Sequence, residues 1–255
     1  MTPLAEERLD GRIALVTGAA RRVGRAVALE LGRAGAQVLV HCRASRADAD
    51  ATAAELRALG ADAAVLAADL TDAAATTALF AAVAARGGLD ILVNNAAVYE
   101  RTPFEQIDDA RLAAMLDANF VAPFRCARLA VPLLRARGGG TIVNLLDVAA
   151  TQAWPDHAHY CAAKAALHML TRCLAVELAP AIRVVGVSPG TVALPAGTSA
   201  AEAARIIGKI PARRAGTPED VARAVRFLCA GPAFITGTIL PVDGGRSAAG
   251  PAVGV

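Results

Sequence analysis

The sequence predicts an α/β fold of the doubly wound kind, with a seven-stranded, mainly parallel sheet flanked by helices on both faces. Three observations predict it. Short runs rich in Val, Ile and Leu alternate with longer Ala-rich stretches along the 255 residues, the order that parallel strands joined by crossover helices require. Hydrophobic residues make up 55% of the chain and charged residues only 19%, enough apolar surface to offset the entropy of ordering a packed core. Aromatic residues are only 4%, which suits small-residue helices closing tightly on a sheet better than a sandwich of large side chains. The length lies within the range of one large α/β unit. No linker or composition shift divides the chain, so residues 1–255 are expected to form a single domain.

Strands are predicted at Ile13 to Val16, Val38 to His41, Ala64 to Ala67, Ile91 to Val93, Thr141 to Leu145, Arg183 to Val187 and Thr238 to Val242. Between them, helices are predicted near Val23 to Ala34, Ala47 to Leu59, Ala73 to Ala85, Ala110 to Arg135, Ala158 to Leu178 and Pro218 to Leu228. Thr217, Pro218 and Glu219 read as an N-cap, a first-turn proline and an acidic first turn, while Gly60 and the run Gly138, Gly139, Gly140 read as helix stops. The segment Leu194 to Arg214, rich in small residues, is expected to cover a site, and Ser247 to Val255 to be a frayed tail.

Charge and cysteine usage exclude several classes. The net charge of +3 comes from basic residues scattered among acidic ones, so no nucleic-acid-binding stripe is present. Cys42, Cys126, Cys161, Cys173 and Cys229 are odd in number and show no ligand spacing, which points to reduced thiols and no metal site. Met1 to Arg12 lacks the pattern of a signal peptide and no apolar run is long enough to span a membrane. A soluble, cytoplasmic protein is expected.

The first strand leads into Thr17, Gly18, Ala19, Ala20, Arg21, Arg22, Val23 and Gly24, after which a helical pattern begins. Glycine at 18 and 24 permits a tight turn, and a following helix N-terminus offers free N–H groups to a pyrophosphate. At the end of the second strand no acidic residue stands ready for a ribose 2′-hydroxyl. His41, Arg43, Ser45 and Arg46 stand there instead, groups suited to the 2′-phosphate of NADPH. The alternative is a merely solvated basic loop. Further on, Tyr160 and Lys164 lie four residues apart. On a helix they share one face, where an ammonium lowers the cost of moving a phenolic proton.

Thr17 to Gly24, Asp69, Asn94 to Ala96, Asn119, Tyr160 to Lys164, Pro189 to Gly190 and Asp243 to Gly245 occur in the order seen in short-chain dehydrogenases/reductases, which the chain resembles over nearly its whole length. The resemblance implies a Rossmann-like dinucleotide-binding catalytic domain. It implies that Gly18, Arg22, Val23 and Gly24 meet the cofactor phosphates, that Asp69 and Leu70 border the adenine, and that Asn95, Ala96 and Ala97 support the cofactor. Pro189, Gly190 and Thr191 would flank the nicotinamide, Lys164 would also hold its ribose, Tyr160 would donate the proton, and Asn119 would hold a relay water. In this family helices equivalent to Ala110 to Arg135 and Ala158 to Leu178 pack between subunits, implying a homotetramer or dimer.

Two departures narrow the resemblance. Arg22 stands where a glycine is usual, and Asp147 stands thirteen positions before Tyr160 where a serine is usual; both are similar to the pteridine reductases. A serine donates to a developing alkoxide, whereas an ionised carboxylate would repel it. Reduction of a ring C=N needs a proton on nitrogen, which Asp147 coupled to Tyr160 supplies if desolvation raises its pKa. Arg22 would bridge cofactor phosphate and heterocycle, and Tyr99 resembles the aromatic that stacks a pterin; the alternative for Tyr99 is a loop residue packed on its neighbours. Trp154 is placed either in the pocket or on the surface, and His157 and His159 are given no chemistry because they do not share the face of Tyr160. The competing expectations are a general NADPH carbonyl reductase, such as a 3-oxoacyl thioester reductase, and a non-catalytic NADPH-binding regulator.

Overall fold

The computed structural model describes residues 8–194 and 197–249. Seven strands run in parallel: β1 (Ile13–Val16), β2 (Gln37–Cys42), β3 (Ala63–Ala67), β4 (Ile91–Asn94), β5 (Gly140–Leu145), β6 (Ile182–Pro189) and β7 (Ile239–Val242). Their order is β3-β2-β1-β4-β5-β6-β7, with each neighbouring pair parallel. The sheet is thus wholly parallel rather than mainly so.

Helices α1 (Arg22–Arg33), α2 (Arg46–Ala58), α3 (Ala73–Ala84), α4 (Asp109–Leu116), α5 (Ala122–Ala136), α6 (Ala158–Glu177), α7 (Ala200–Gly208) and α8 (Pro218–Ala230) complete the chain. The period of two along a strand sorts the core into two layers. Ala14 and Val16 of β1 join Val27 of α1, Ala53 of α2 and Val225 of α8 on one face. Ile13 and Leu15 join Leu79 of α3, Cys126 of α5 and Ala175 of α6 on the other. Because the chain winds outward from β1 to β3 and then returns to β4, the connections leaving β1 and β4 diverge. A crevice opens at the carboxyl ends of those strands, where such sheets place ligands.

Two local expectations needed correction, and the expected cover holds a helix. The single helix expected over Ala110 to Arg135 is broken by a π-helical turn at Asp117–Val121 between α4 and α5. Pro123 has no N–H to give the preceding turn, so the hydrogen-bond ladder changes register just before it. The segment 194–214 contains α7, whose N-cap Ser199 accepts from the N–H of Glu202 at 3.2 Å. The start of the expected tail is tied down: Asp243 accepts from the N–H of Gly245 at 2.8 Å and of Ser247 at 2.7 Å. Residues 1–7, 195–196 and 250–255, which include parts of the expected leader-free start, cover and tail, lie outside the described residues. The α8 start is as read, a capping box between Thr217 and Asp220. Among the described residues no helix is long and apolar enough to cross a membrane, and no cluster of His, Cys, Asp and Glu is arranged to hold a metal.

Candidate active site

The crevice is a cleft of about 580 Å³ that begins at the β1–α1 turn. Gly18 takes φ +64°, and a methyl group at Gly24 would collide with the Gly18 carbonyl oxygen and the Asn95 side chain. Glycine is therefore what lets α1 start directly on the turn. Asn95 holds that turn by donating from Nδ2 to the carbonyls of Thr17 (2.8 Å) and Gly18 (3.1 Å). Thr17 returns the link, accepting at Oγ1 from the N–H groups of Asn95 (2.9 Å) and Ala96 (3.0 Å). The first turn of α1 has no acidic residue and no side-chain cap, which leaves its N–H groups and positive dipole end facing the cleft with Val23 and Gly24. Arg22 is exposed there with φ +51°, a left-handed conformation that costs a non-glycine residue about 1 kcal/mol. These features fit a bound pyrophosphate.

Beyond the end of β2, Arg43, Ser45, Asp69 and Leu70 line the cleft. Asp69 is folded onto Thr71, accepting from its N–H (3.0 Å) and hydroxyl (2.7 Å). Arg43 comes no nearer than 4.0 Å to Asp69, too far for a hydrogen bond, so its donors stay open to a ligand. Ser45 caps α2 without a side-chain bond, whereas Arg46 is held by Asp50 at 3.0 Å. The expectation for His41 is corrected. The ring is buried, its Nδ1 accepts the Gly18 N–H at 3.1 Å, and its Nε2 meets the Ala68 carbonyl at 3.1 Å. Both nitrogens are engaged, so the imidazole braces the phosphate turn against the end of β3 and is not available to a 2′-phosphate. Burial holds its pKa below the usual histidine value.

At the other end, β5 delivers Asp147 and α6 delivers Tyr160 and Lys164, the last two one helical turn apart and buried. The Tyr160 hydroxyl donates to Oδ2 of Asp147 at 2.9 Å, while Oδ1 accepts the Ala149 N–H at 2.9 Å. Lys164 donates to the Leu145 carbonyl at 3.0 Å, with Nζ 5.9 Å from the centre of the Tyr160 ring. Burial raises the Asp147 carboxyl, against the pull of its two hydrogen bonds and of the Lys164 and Arg246 charges. Burial and then the Asp147 charge push the Tyr160 phenol up. Burial pulls Lys164 down to about 8, with Asp147 opposing. A carboxyl and a phenol thus share one hydrogen bond, with a buried ammonium beside the phenol ring. Pro189 and Gly190 face it from the end of β6.

Two expected residues sit differently. Asn119 lies in the π turn, fully buried, and its side chain is tied to Val98, donating to the carbonyl at 2.9 Å and accepting from the N–H at 3.3 Å. Its amide pins the loop after β4 and is not itself offered to a relay water. Thr191 is not among the residues lining the cleft, and its Oγ1 accepts from Arg246 at 2.8 Å. Ala96, Ala97 and Tyr99 line the cleft as read. Tyr99 is 60% exposed; it stacks on His157 (5.0 Å, 26°) and meets Tyr160 edge-on (5.1 Å, 90°). Trp154 in turn lies edge-on to His157 at 5.9 Å. Sequence reasoning quoted Thr17 in the glycine turn without giving it a role, assigned His157 no chemistry, and did not single out Arg246. The threonine at the head of the glycine turn was a usable signal; nothing in the spacing ties a residue near the carboxyl end to this wall.

Comparison with known proteins agrees with the geometry. A family model described as enoyl-(acyl carrier protein) reductase matches residues 18–247. A D-erythrulose reductase of Gallus gallus is 38% identical over 242 residues, covering 92% of this chain and 95% of that protein. A 3-oxoacyl-[acyl-carrier-protein] reductase of Synechocystis is 36% identical over 241 residues, covering 93% and 97%. A crystal structure of a gluconate 5-dehydrogenase from Burkholderia cenocepacia, in complex with NADP and tartrate, aligns with TM-score 0.90 and 32% identity over 96% of this chain and 98% of that one.

Proposed function

This chain belongs to the short-chain dehydrogenase/reductase family, and from that premise we propose that it is an NADPH-dependent reductase acting on a pteridine: a dihydropterin, a biopterin or a dihydrofolate. The observation that carries the reading is the hydrogen bond from Tyr160 to Asp147. A reduced nicotinamide held between Pro189, Gly190 and Lys164 would supply the hydride. Tyr160 gives its hydroxyl proton to the ring nitrogen and recovers one from Asp147, which burial keeps in reach of its acid form. Lys164 offsets the negative charge that passes through the pair. With Asp147 protonated, the charge that holds the Tyr160 proton most tightly after burial is removed. The exposed face of Tyr99, backed by His157, is a platform for a planar ring.

Arg43 and Ser45 bind the 2′-phosphate, Arg22 and the first turn of α1 the pyrophosphate, and Asn119 acts through its main chain. The NADP in the similar gluconate 5-dehydrogenase supports this cofactor. Residues 194–214 cover the substrate. Exposed Phe124 on α5 and Met169 and Val176 on α6 are the seam of a homotetramer or dimer, to be read by light scattering.

A second reading, a general carbonyl reductase such as a 3-oxoacyl thioester reductase, is favoured by the relatives' activities. Dihydropterins, dihydrofolate, quinonoid pterins and oxoacyl thioesters, each assayed with NADPH and with NADH at fixed pH, separate the two. Turnover of thioesters without pterins would overturn the pteridine assignment.

A further inference from the structure

The aromatic contacts that start at Tyr160 and Tyr99 in the cleft lining end on a cation. From Tyr160 the contacts run through Tyr99 and His157 to Trp154, and the Arg246 guanidinium lies 5.4 Å from the Trp154 ring centre. Nη1 of Arg246 is fixed by Thr191 Oγ1 at 2.8 Å. The loop bearing it is anchored on both sides by Asp243, through Gly245 and Ser247. Three arginines near the cleft are paired with carboxylates: Arg21 with Asp48, Arg46 with Asp50, Arg101 with Asp156. Arg246 makes no ion pair among the described residues, although it is partly buried. It stands beside the cleft, because its Thr191 partner directly follows Gly190 of the cleft lining, and its charge acts on both Asp147 and Tyr99. A guanidinium held by a hydroxyl and an aromatic face, with its remaining N–H groups open, is a fork for a planar oxyanion.

We propose that Arg246 is a specificity-determining residue that binds a carboxylate on the substrate, at the end remote from the double bond placed against Tyr160. The inference rests on the reductase reading of the site but not on which double bond is reduced. Without Arg246 such a substrate would bring its charge toward Asp147 with no compensation; with it, the carboxylate is drawn to the rim and the neutral end is left over Tyr99.

Binding is tested by calorimetry in the presence of saturating NADP+, where no turnover occurs. The probes are 4-oxopentanoate, 6-oxoheptanoate and 8-oxononanoate, each against its neutral amide. For at least one chain length the native protein should bind the acid at least tenfold more tightly than the amide. Arg246→Gln should abolish that preference while leaving amide binding unchanged, and Arg246→Lys should keep part of it. Equal affinity for acid and amide at all three lengths, or a preference that survives in Arg246→Gln, would overturn the proposal. A carboxylate preference in a protein that oxidises NADPH with none of the substrates would uphold this inference and overturn the reductase reading.

Discussion

The Tyr160 hydroxyl and Oδ2 of Asp147 are 2.9 Å apart, and the phenol is the donor. Two acidic groups sharing one hydrogen bond away from water cannot both ionise without repulsion. Asp147 holds the lower pKa of the two even though burial has raised it, so it is the group whose protonation state changes. A serine at this position would donate a hydrogen bond without changing charge. The two chemistries differ in what the substrate atom requires.

Asp147→Ser should therefore act on substrate choice rather than on activity at large. General acid–base groups contribute typically about 100- to 10,000-fold, so kcat/KM for a dihydropterin should fall by about 100-fold or more. Turnover of a simple ketone should stay within about threefold or rise. Steady-state kinetics on the two substrates measures the ratio, and an unchanged pterin rate would remove the assigned role of Asp147.

The pH profile of reduction carries its own sign. The proton-donating form of Asp147 is lost as pH rises through its raised pKa, and the Lys164 ammonium is lost as pH rises through about 8. The first change removes a proton that the reaction uses and the second the charge that offsets it, so kcat/KM should be greatest on the acid side and decline toward and beyond pH 8. Asp147→Asn should flatten the lower limb and leave the limb near 8. A rate that climbs with pH in the native protein would contradict the assignment.

How much of this was legible follows from what spacing can carry. Tyr160 and Lys164 could be placed on one face because four residues is about one helical turn, and the glycine turn because a strand precedes it and a helix follows. The layering was legible from the alternation of apolar runs. The break at Asp117–Val121 was signalled by Pro123, which has no N–H for the preceding turn, but the helical pattern on either side was read as one helix. His41 was misread because charge and polarity in sequence do not reveal direction: its strand position turns it inward, between Gly18 and Ala68. Arg246 meets Thr191 and Trp154 only through tertiary packing, from a position between the Asp243 to Gly245 motif and the expected tail.

Cofactor choice should rest on Arg43. Its open guanidinium next to Ser45 at the start of α2 would make charge-assisted bonds to a 2′-phosphate, each worth about 1.5–3 kcal/mol. Arg43→Ala should weaken NADPH about 10- to 100-fold and leave NADH within about twofold. Fluorescence titration with both cofactors reads the difference; equal losses for the two would assign Arg43 to general support of the loop.

His41 predicts the opposite pattern. Its neutral ring, with the proton on Nε2, is the form that accepts from Gly18 and donates to Ala68, so neither bond depends on the ribose phosphate. His41→Ala leaves a half-buried donor and acceptor without this partner, a loss of about 1–3 kcal/mol for each group that water cannot reach. It should lower the melting temperature and weaken NADPH and NADH by the same factor. The sign in pH follows from the lowered pKa, which Asp69 opposes but does not cancel. The stabilisation is complete above the unfolded value of 6.5 and is lost as pH falls toward the lower folded value. Native protein should thus lose stability with falling pH in a window just below 6.5, and His41→Asn, which has no imidazole to protonate, should lack that component. Parallel melting curves of native protein and variant between pH 7 and pH 5 would refute the brace.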